Sequence, residues 1–315
     1  MAETQVSSLN SAGNAAFDRK AFFALREKLQ HVQFATVKGE PFHAGGSVVF
    51  NLVDNLASAT SALSETTDVT PVAMSDSQVT VTLVEYGNVV RTTKKARGTS
   101  YRNVDGDAAN VIGYNAGDSI DEIARDVLVG GTNVTYADNA SAGHSATSDI
   151  TSADVLASSD IRAAVARLRG DSVVPMMGDL YAGMCHPDQS VDLREESGAA
   201  GWNEPINYSD AVRRFRGVVG VMDGVAWIES PRVRLTADAG ATTTDVYDAL
   251  ILGQECLAMA YSSSESAALP QVVRGEVTDT LRRLVPVGWY WLGGFGIFRE
   301  EAIHRIETAS SIGDN

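Results

Sequence analysis

The chain has 315 residues, 44% of them apolar and 21% charged, and a net charge of −15. That composition excludes an intrinsically disordered chain, and the acidity argues against tight nucleic-acid binding, because most of the surface would repel phosphates. No run of about 18 apolar residues is present to span a membrane, and the opening residues MAETQVSSLNSAGN have neither the basic nor the apolar region of a signal peptide.

Residues 1–13 are small and polar and read as a flexible arm. From Asn14 to Val32 the apolar residues Phe17, Ala21, Ala24, Leu25, Leu29 and Val32 recur at three- and four-residue steps. Arg19, Lys20, Arg26 and Lys28 lie off that stripe, which predicts an amphipathic helix. Residues 41–46 break the chain, and SVVFNLVDNL (47–56) predicts a strand. Residues 57–78 are mostly Ala, Ser, Thr and Asp and read as a loop. QVTVTLVEYGNVVRTTKKARG (78–98) predicts one very long strand with a basic end. A polar connection of that length suits a compact domain only if it acts outside the domain.

A helix capped by Asp105 or Asp107 is predicted to run to Val129, with Ile112, Ala116, Ile120, Ile123 and Val127 as its apolar stripe and Gly130-Gly131 as its end. Ala109, Gly113 and Gly117 share one face. Glycine costs a helix roughly 1 kcal/mol relative to Ala, so this face is either a plain weakness or a place where another backbone crosses. Residues 132–152 read as a surface loop, Ser159–Leu168 as a short helix and residues 235–244 as a polar loop. Asp245–Tyr261 reads as an amphipathic helix through Val246, Leu250, Gly253 and Leu257. Residues 281–308 alternate like strands, with Trp289, Trp291, Phe295 and Phe298 suited to a packed sheet. Helices and strands are interspersed without a βαβ rhythm, so the fold class is α+β.

Catalytic signals are weak. GHSAT (143–147) has Thr147 where a nucleophile elbow needs Gly, and it lies in a polar segment rather than on a strand–turn–helix, so Ser145 is not expected to be a nucleophile. Cys185 and His186, with Asp188 and Asp192 nearby, have no second Cys/His cluster to complete a metal site; a strand ending in a turn at Pro187 is the simpler reading. Cys185 and Cys256, 71 positions apart, read as buried thiols. Glu195-Glu196 and Glu300-Glu301 are adjacent and point different ways, which makes neither a carboxylate dyad. The glycines of VGGTN and LGGFG read as turns. No catalytic residue, cofactor or metal is therefore expected. The most concentrated charge feature is basic: Arg91, Lys94, Lys95, Arg97 and Arg102. Either it is a solvated strand end, or it meets something acidic, and in so negative a chain that something can be another copy of the same protein.

Six segments taken in order resemble the major capsid proteins of tailed phages, most of all the family typified by phage N-four. They are FDRKAFFALREKL (17–29), SVVFN…DVTPVAMSDSQVTVTLVEYGNVVRTTKKARGTS (47–100), DAANVIGYNAGDSIDEIARDVL (107–128), YAGMCHPDQSVDLREE (181–196), FRGVVGVMDGVAWIESPR (215–232) and VGWYWLGGFGIFREEAIHRIETAS (287–310). The resemblance implies the Hong Kong ninety-seven capsid fold. In that reading residues 1–35 are an N-terminal arm and 36–80 an extended hairpin, the E-loop. Residues 81–145 and 275–315 form a peripheral domain with a spine helix at 107–129, and 146–274 an axial domain. It further implies a subunit that assembles with itself, as hexamers and pentamers, into an icosahedral virion shell around double-stranded DNA in the host cytoplasm. The implied partners are a separate scaffolding protein, a portal protein and a decoration protein, and no membrane is involved. No fused scaffolding segment is visible, and Lys38 is the only lysine in the expected E-loop, too little to assign a covalent cross-link. The alternative is another virion component, a tail-tube or decoration protein, which should lack the spine-helix segment.

Overall fold

A computed structural model of the chain describes residues 29–40, 45–53, 56–66, 68–138, 143–196, 218–264, 268–274, 279–281 and 283–313. The expected arm and nearly all of the expected helix at 14–32 lie outside the described residues. In chain order the first elements are β1 (Ala35–Glu40), β2 (Ser47–Val53), β3 (Asp76–Thr82), β4 (Val84–Thr93), α1 (Lys94–Thr99), α2 (Val104–Val129) and β5 (Val134–Tyr136). Then come α3 (Ser158–Gly170), β6 (Tyr181–Cys185), α4 (Pro187–Glu195), β7 (Val218–Met222), β8 (Val225–Glu229) and β9 (Leu235–Thr236). β10 (Val246–Leu252), β11 (Leu257–Ser262), β12 (Gln271–Arg274), β13 (Leu284–Ile297) and β14 (Ile303–Thr308) complete the series.

Helix α2 starts where Asn103 accepts the Gly106 amide, so the cap is Asn103 and not the expected aspartates. Its buried residues Ile112, Ala116, Ile120, Ala124 and Leu128 repeat every four positions. The first of them pack against Trp289, Trp291 and Met259. These belong to a five-stranded sheet organised by β13. β4 runs antiparallel along residues 284–293 of β13, while β11 and β12 pair with residues 293–297 and 287–290 on the opposite edge. β1 joins β11 in parallel. Asn115 clamps helix to sheet by accepting from both Trp289 Nε1 (2.9 Å) and Asn88 Nδ2 (3.1 Å).

The second sheet has seven strands, ordered β5-β14-β10-β6-β8-β7 with β9 beside β10. Every residue of β10 is buried. One face carries the cluster of Leu250, Leu252, Ile303 and Met184 against Leu128 and Val129 of α2. The other carries Ile251, Ile306, Trp227 and Tyr181 against Ile161, Val165 and Leu168 of α3. This double coverage explains a correction. Residues 245–261 form two strands, β10 and β11, not the expected helix. A strand covered on both faces reads as an unbroken apolar run, which periodicity alone does not separate from a helix.

Other expectations change for equally local reasons. The single long strand at 78–98 is β3 and β4, which part at Leu83 and enter different sheets, and its basic end is the short helix α1, capped by Thr93 Oγ1 on the Ala96 amide. Pro187 opens α4 rather than turning a loop, in keeping with proline at a first helical position. β5 lies inside the expected loop at 132–152 and pairs in parallel with β14. LGGFG is not a turn but the C-terminal part of β13, whereas Gly130 of VGGTN does close α2. Residues 281–308 contribute β13 to the first sheet and β14 to the second, so this return of the chain joins the two layers.

Candidate interaction surface

β2 and β3 form an antiparallel hairpin that belongs to neither large sheet. Its root is packed: Val48, Phe50 and Val81 lie against Ala258 and Ala260, and the Phe50 ring meets Phe298 at 5.4 Å. Gly294 and Gly296 permit this crossing. A Cβ on Gly294 would collide with the Thr82 carbonyl oxygen, and one on Gly296 would press on Val81. Sequence reasoning missed this role, and the three glycines within four positions of β13 were its signal.

Beyond the root the packing stops. Residues 56–66 and 68–75 contain no helix or strand, and their apolar side chains stand in solvent: Leu63 is 78% exposed, Val72 74% and Met74 72%, with Leu56 and Val69 also exposed. Within one chain this is loss without return, because ordering such a segment costs about 1–2 kcal/mol per residue in backbone entropy and recovers little burial. Clustered exposed apolar groups are what a partner surface covers. At the hairpin base, a groove of about 630 Å³ carries Asp171, Glu255, Glu300 and Glu301, with Arg299 near Glu255 at 3.8 Å.

The basic residues expected to matter lie together at the far end of β4. Arg91 is half-buried on β4, opposite Pro286. Lys94 and Lys95 are exposed on the first turn of α1, where Arg97 is half-buried, and Arg102 pairs with Asp107 at 3.1 Å. Lys38 is not in the hairpin. It lies on β1, donates to the Val49 carbonyl oxygen at 2.7 Å and sits 5.7 Å from the Phe50 ring. On α2, a Cβ at Gly113 or Gly117 would meet nothing, so no backbone among the described residues crosses that face.

The point where the N-terminal segment meets the body is fixed by one buried carboxylate. Asp121 accepts the Gln30 and His31 amides at 2.8 Å each, and His31 Nδ1 lies 2.8 Å from its other oxygen. Burial pushes this carboxyl up, but the His31 side-chain hydrogen bond and charge, with the two amides, outweigh it and hold it below the ordinary range.

Among the described residues, the side chains behind the weak catalytic signals have structural partners. Ser145 and Ala146 amides cap Asp149, and Ser145 Oγ faces that carboxylate at 3.5 Å; His144 Nδ1 instead meets the Ala137 carbonyl oxygen at 2.9 Å. Cys185 is buried, and burial pushes its thiol up to about 12; the same holds for Cys256. Both are free thiols. His186 caps α4 and lies 3.1 Å from Asp188, while Asp192 binds Ser311. Glu196 accepts from Ser158, and Glu300 from Thr132, so neither glutamate pair forms a dyad. Among the described residues no group of three metal-ligating side chains occurs, and no helix is long and apolar enough to cross a membrane.

The described residues form a two-sheet α+β body with a long helix and a separate hairpin whose connecting segment exposes apolar side chains. The chain's backbone matches solved phage shells along nearly its whole length. The capsid of Ralstonia phage GP4 superimposes with a TM-score of 0.71 at 16% identity, covering 95% of this chain and 94% of that one. The head of Helicobacter pylori bacteriophage KHP40 gives 0.69 at 12% identity and 98% of both chains. The capsid of cyanophage Pam1 gives 0.66 at 16%, covering 99% and 100%. No curated protein matches the chain. Residues 6–312 match the phage capsid protein family, and the chain belongs to it. The fold is the Hong Kong ninety-seven capsid fold expected from the ordered segments, and the chain is a structural protein of the virion shell, a tailed-phage major capsid protein.

Proposed function

We propose that copies of this chain assemble as hexamers and pentamers into a closed icosahedral shell, in the host cytoplasm and with a separate scaffolding protein, around double-stranded DNA. A portal protein occupies one vertex, and a decoration protein binds outside. The chain works without a catalytic step. Residues 36–80, with most of the β2–β3 hairpin, are the E-loop, residues 81–145 and 275–315 with α2 the peripheral domain, and residues 146–274 the axial domain. The observation that carries this reading is the row of exposed apolar residues on the hairpin excursion, which only a neighbouring surface can bury. Heterologous patches of that kind close rings and shells when the rotation between copies closes. The basic residues Arg91, Lys94, Lys95, Arg97 and Arg102 are taken to face carboxylates of an adjacent copy. An acidic inner wall holds packed DNA loosely, since like charge gives no counterion-driven grip.

Co-expression of the full chain with its phage's scaffolding protein, followed by negative-stain microscopy, tests the proposal. Closed shells with five- and six-fold clusters are expected. Tubes of stacked rings, or binding only to preformed shells, would assign a tail-tube or decoration role instead.

A further inference from the structure

Two buried carboxylates stand directly opposite each other in the seven-stranded sheet. Asp248 on β10 and Glu307 on β14 are register partners, and both side chains are almost fully buried. Like charges at opposed positions of an antiparallel pair, whose Cβ atoms are about 4.5–5.5 Å apart, repel each other. A pair of this kind at the centre of a buried sheet calls for an account.

The surroundings make it a joint. Arg305, two positions before Glu307 on the same face, donates to Glu307 at 2.9 Å and to the Val129 carbonyl oxygen at the last turn of α2. Thr147 Oγ1 donates to Glu307 at 2.6 Å. Arg234, half-exposed beside β9, approaches Asp248 at 3.7 Å. From α2, Arg125 contributes charge toward Asp248 and donates to the Arg232 carbonyl oxygen at 3.3 Å. Thus the end of the long helix is fastened to the second sheet through a node with two carboxylates and three guanidiniums.

We propose that Asp248, opposed by Glu307, acts as a proton-sensitive joint between the long helix and the seven-stranded sheet, taking up a proton as the pH falls below neutrality and tightening when it does. The proton removes the repulsion across the ladder. Burial, and after it the charge of Glu307, raises Asp248 to about 6, from 3.8. A carboxyl that binds its proton more tightly in the folded chain adds stability as the pH drops from above 6 toward 3.8. For these two values the folding constant gains about tenfold between pH 7.5 and pH 5.

Other groups titrate in the same range. Asp160 in α3 is also raised to about 6 by burial and acts in the same direction. His304, on the opposite face of β14 against Thr135 and near Arg167, is lowered to about 4 by burial and opposes it. The total pH dependence is therefore not diagnostic, and the difference between variant and parent is.

The test is chemical unfolding of the full-length chain and of Asp248→Asn at pH 7.5 and pH 5. The expected result is that the variant's folding constant, relative to the parent's, falls about tenfold on going from pH 7.5 to pH 5, because the parent gains with acid and the neutral amide does not. Glu307→Gln should shrink the parent's acid gain by lowering the field on Asp248, and the double variant should add nothing to Asp248→Asn. An equal ratio at both pH values would overturn the proposal. So would an Asp248→Asn chain that cannot fold at pH 7.5 while the parent can, since loss of that charge must help there.

Discussion

Trp291 and Val72 are both apolar, and the fold treats them in opposite ways. Trp291 is fully buried, stacked on Tyr86 at 5.9 Å and near Phe295 at 5.5 Å, beneath the long helix. Val72 stands in solvent on a loop without helix or strand. The body satisfies its own hydrophobic surface, while the hairpin excursion leaves its surface unsatisfied. One region stores folding energy, and on the proposed function the other holds its apolar surface for association. For a shell protein this separation is useful, because contacts between copies can vary around the shell without repacking the body.

Three substitutions probe that separation, in order of their expected effect on folding. Trp291→Ala removes the centre of the helix–sheet cluster and should lower stability by about 3–5 kcal/mol, measured by denaturant unfolding; a loss under about 1 kcal/mol would place the core elsewhere. Replacing residues 56–74 with an Asn-Gly turn should change stability by no more than about 1 kcal/mol, since a shorter connection closes at slightly lower entropic cost. Shells should nevertheless vanish from micrographs, and normal shells from that chain would refute the division of labour. Lys94→Glu with Lys95→Glu should move stability by less than about 0.5 kcal/mol, as exposed substitutions do, yet reduce the yield of shells. An unchanged yield would remove the basic cluster from the interface.

Much of this arrangement was legible in the residues. The long helix announced itself through Ile112, Ala116 and Ile120 and through Gly130, because a helix on a sheet must present one apolar stripe and its end favours glycine. The two strands around a polar connection were legible for a similar reason, as alternation in Val48, Phe50, Val79 and Val81 matches a hairpin with one covered face. The opposed pair Asp248 and Glu307 was not, since nothing local in DVYDALIL or HRIET says that these strands are neighbours.

Composition and local periodicity thus determined the α+β class of the fold, the long helix and the existence of an excursion, because each depends on residues close in sequence. Only the tertiary structure decided that residues 245–261 are strands, that β3 and β4 part at Leu83 into different sheets, and that Gly294 and Gly296 clear the way for the hairpin. Those outcomes depend on which surfaces meet between segments far apart in the chain, where burial on both faces overrides any local pattern.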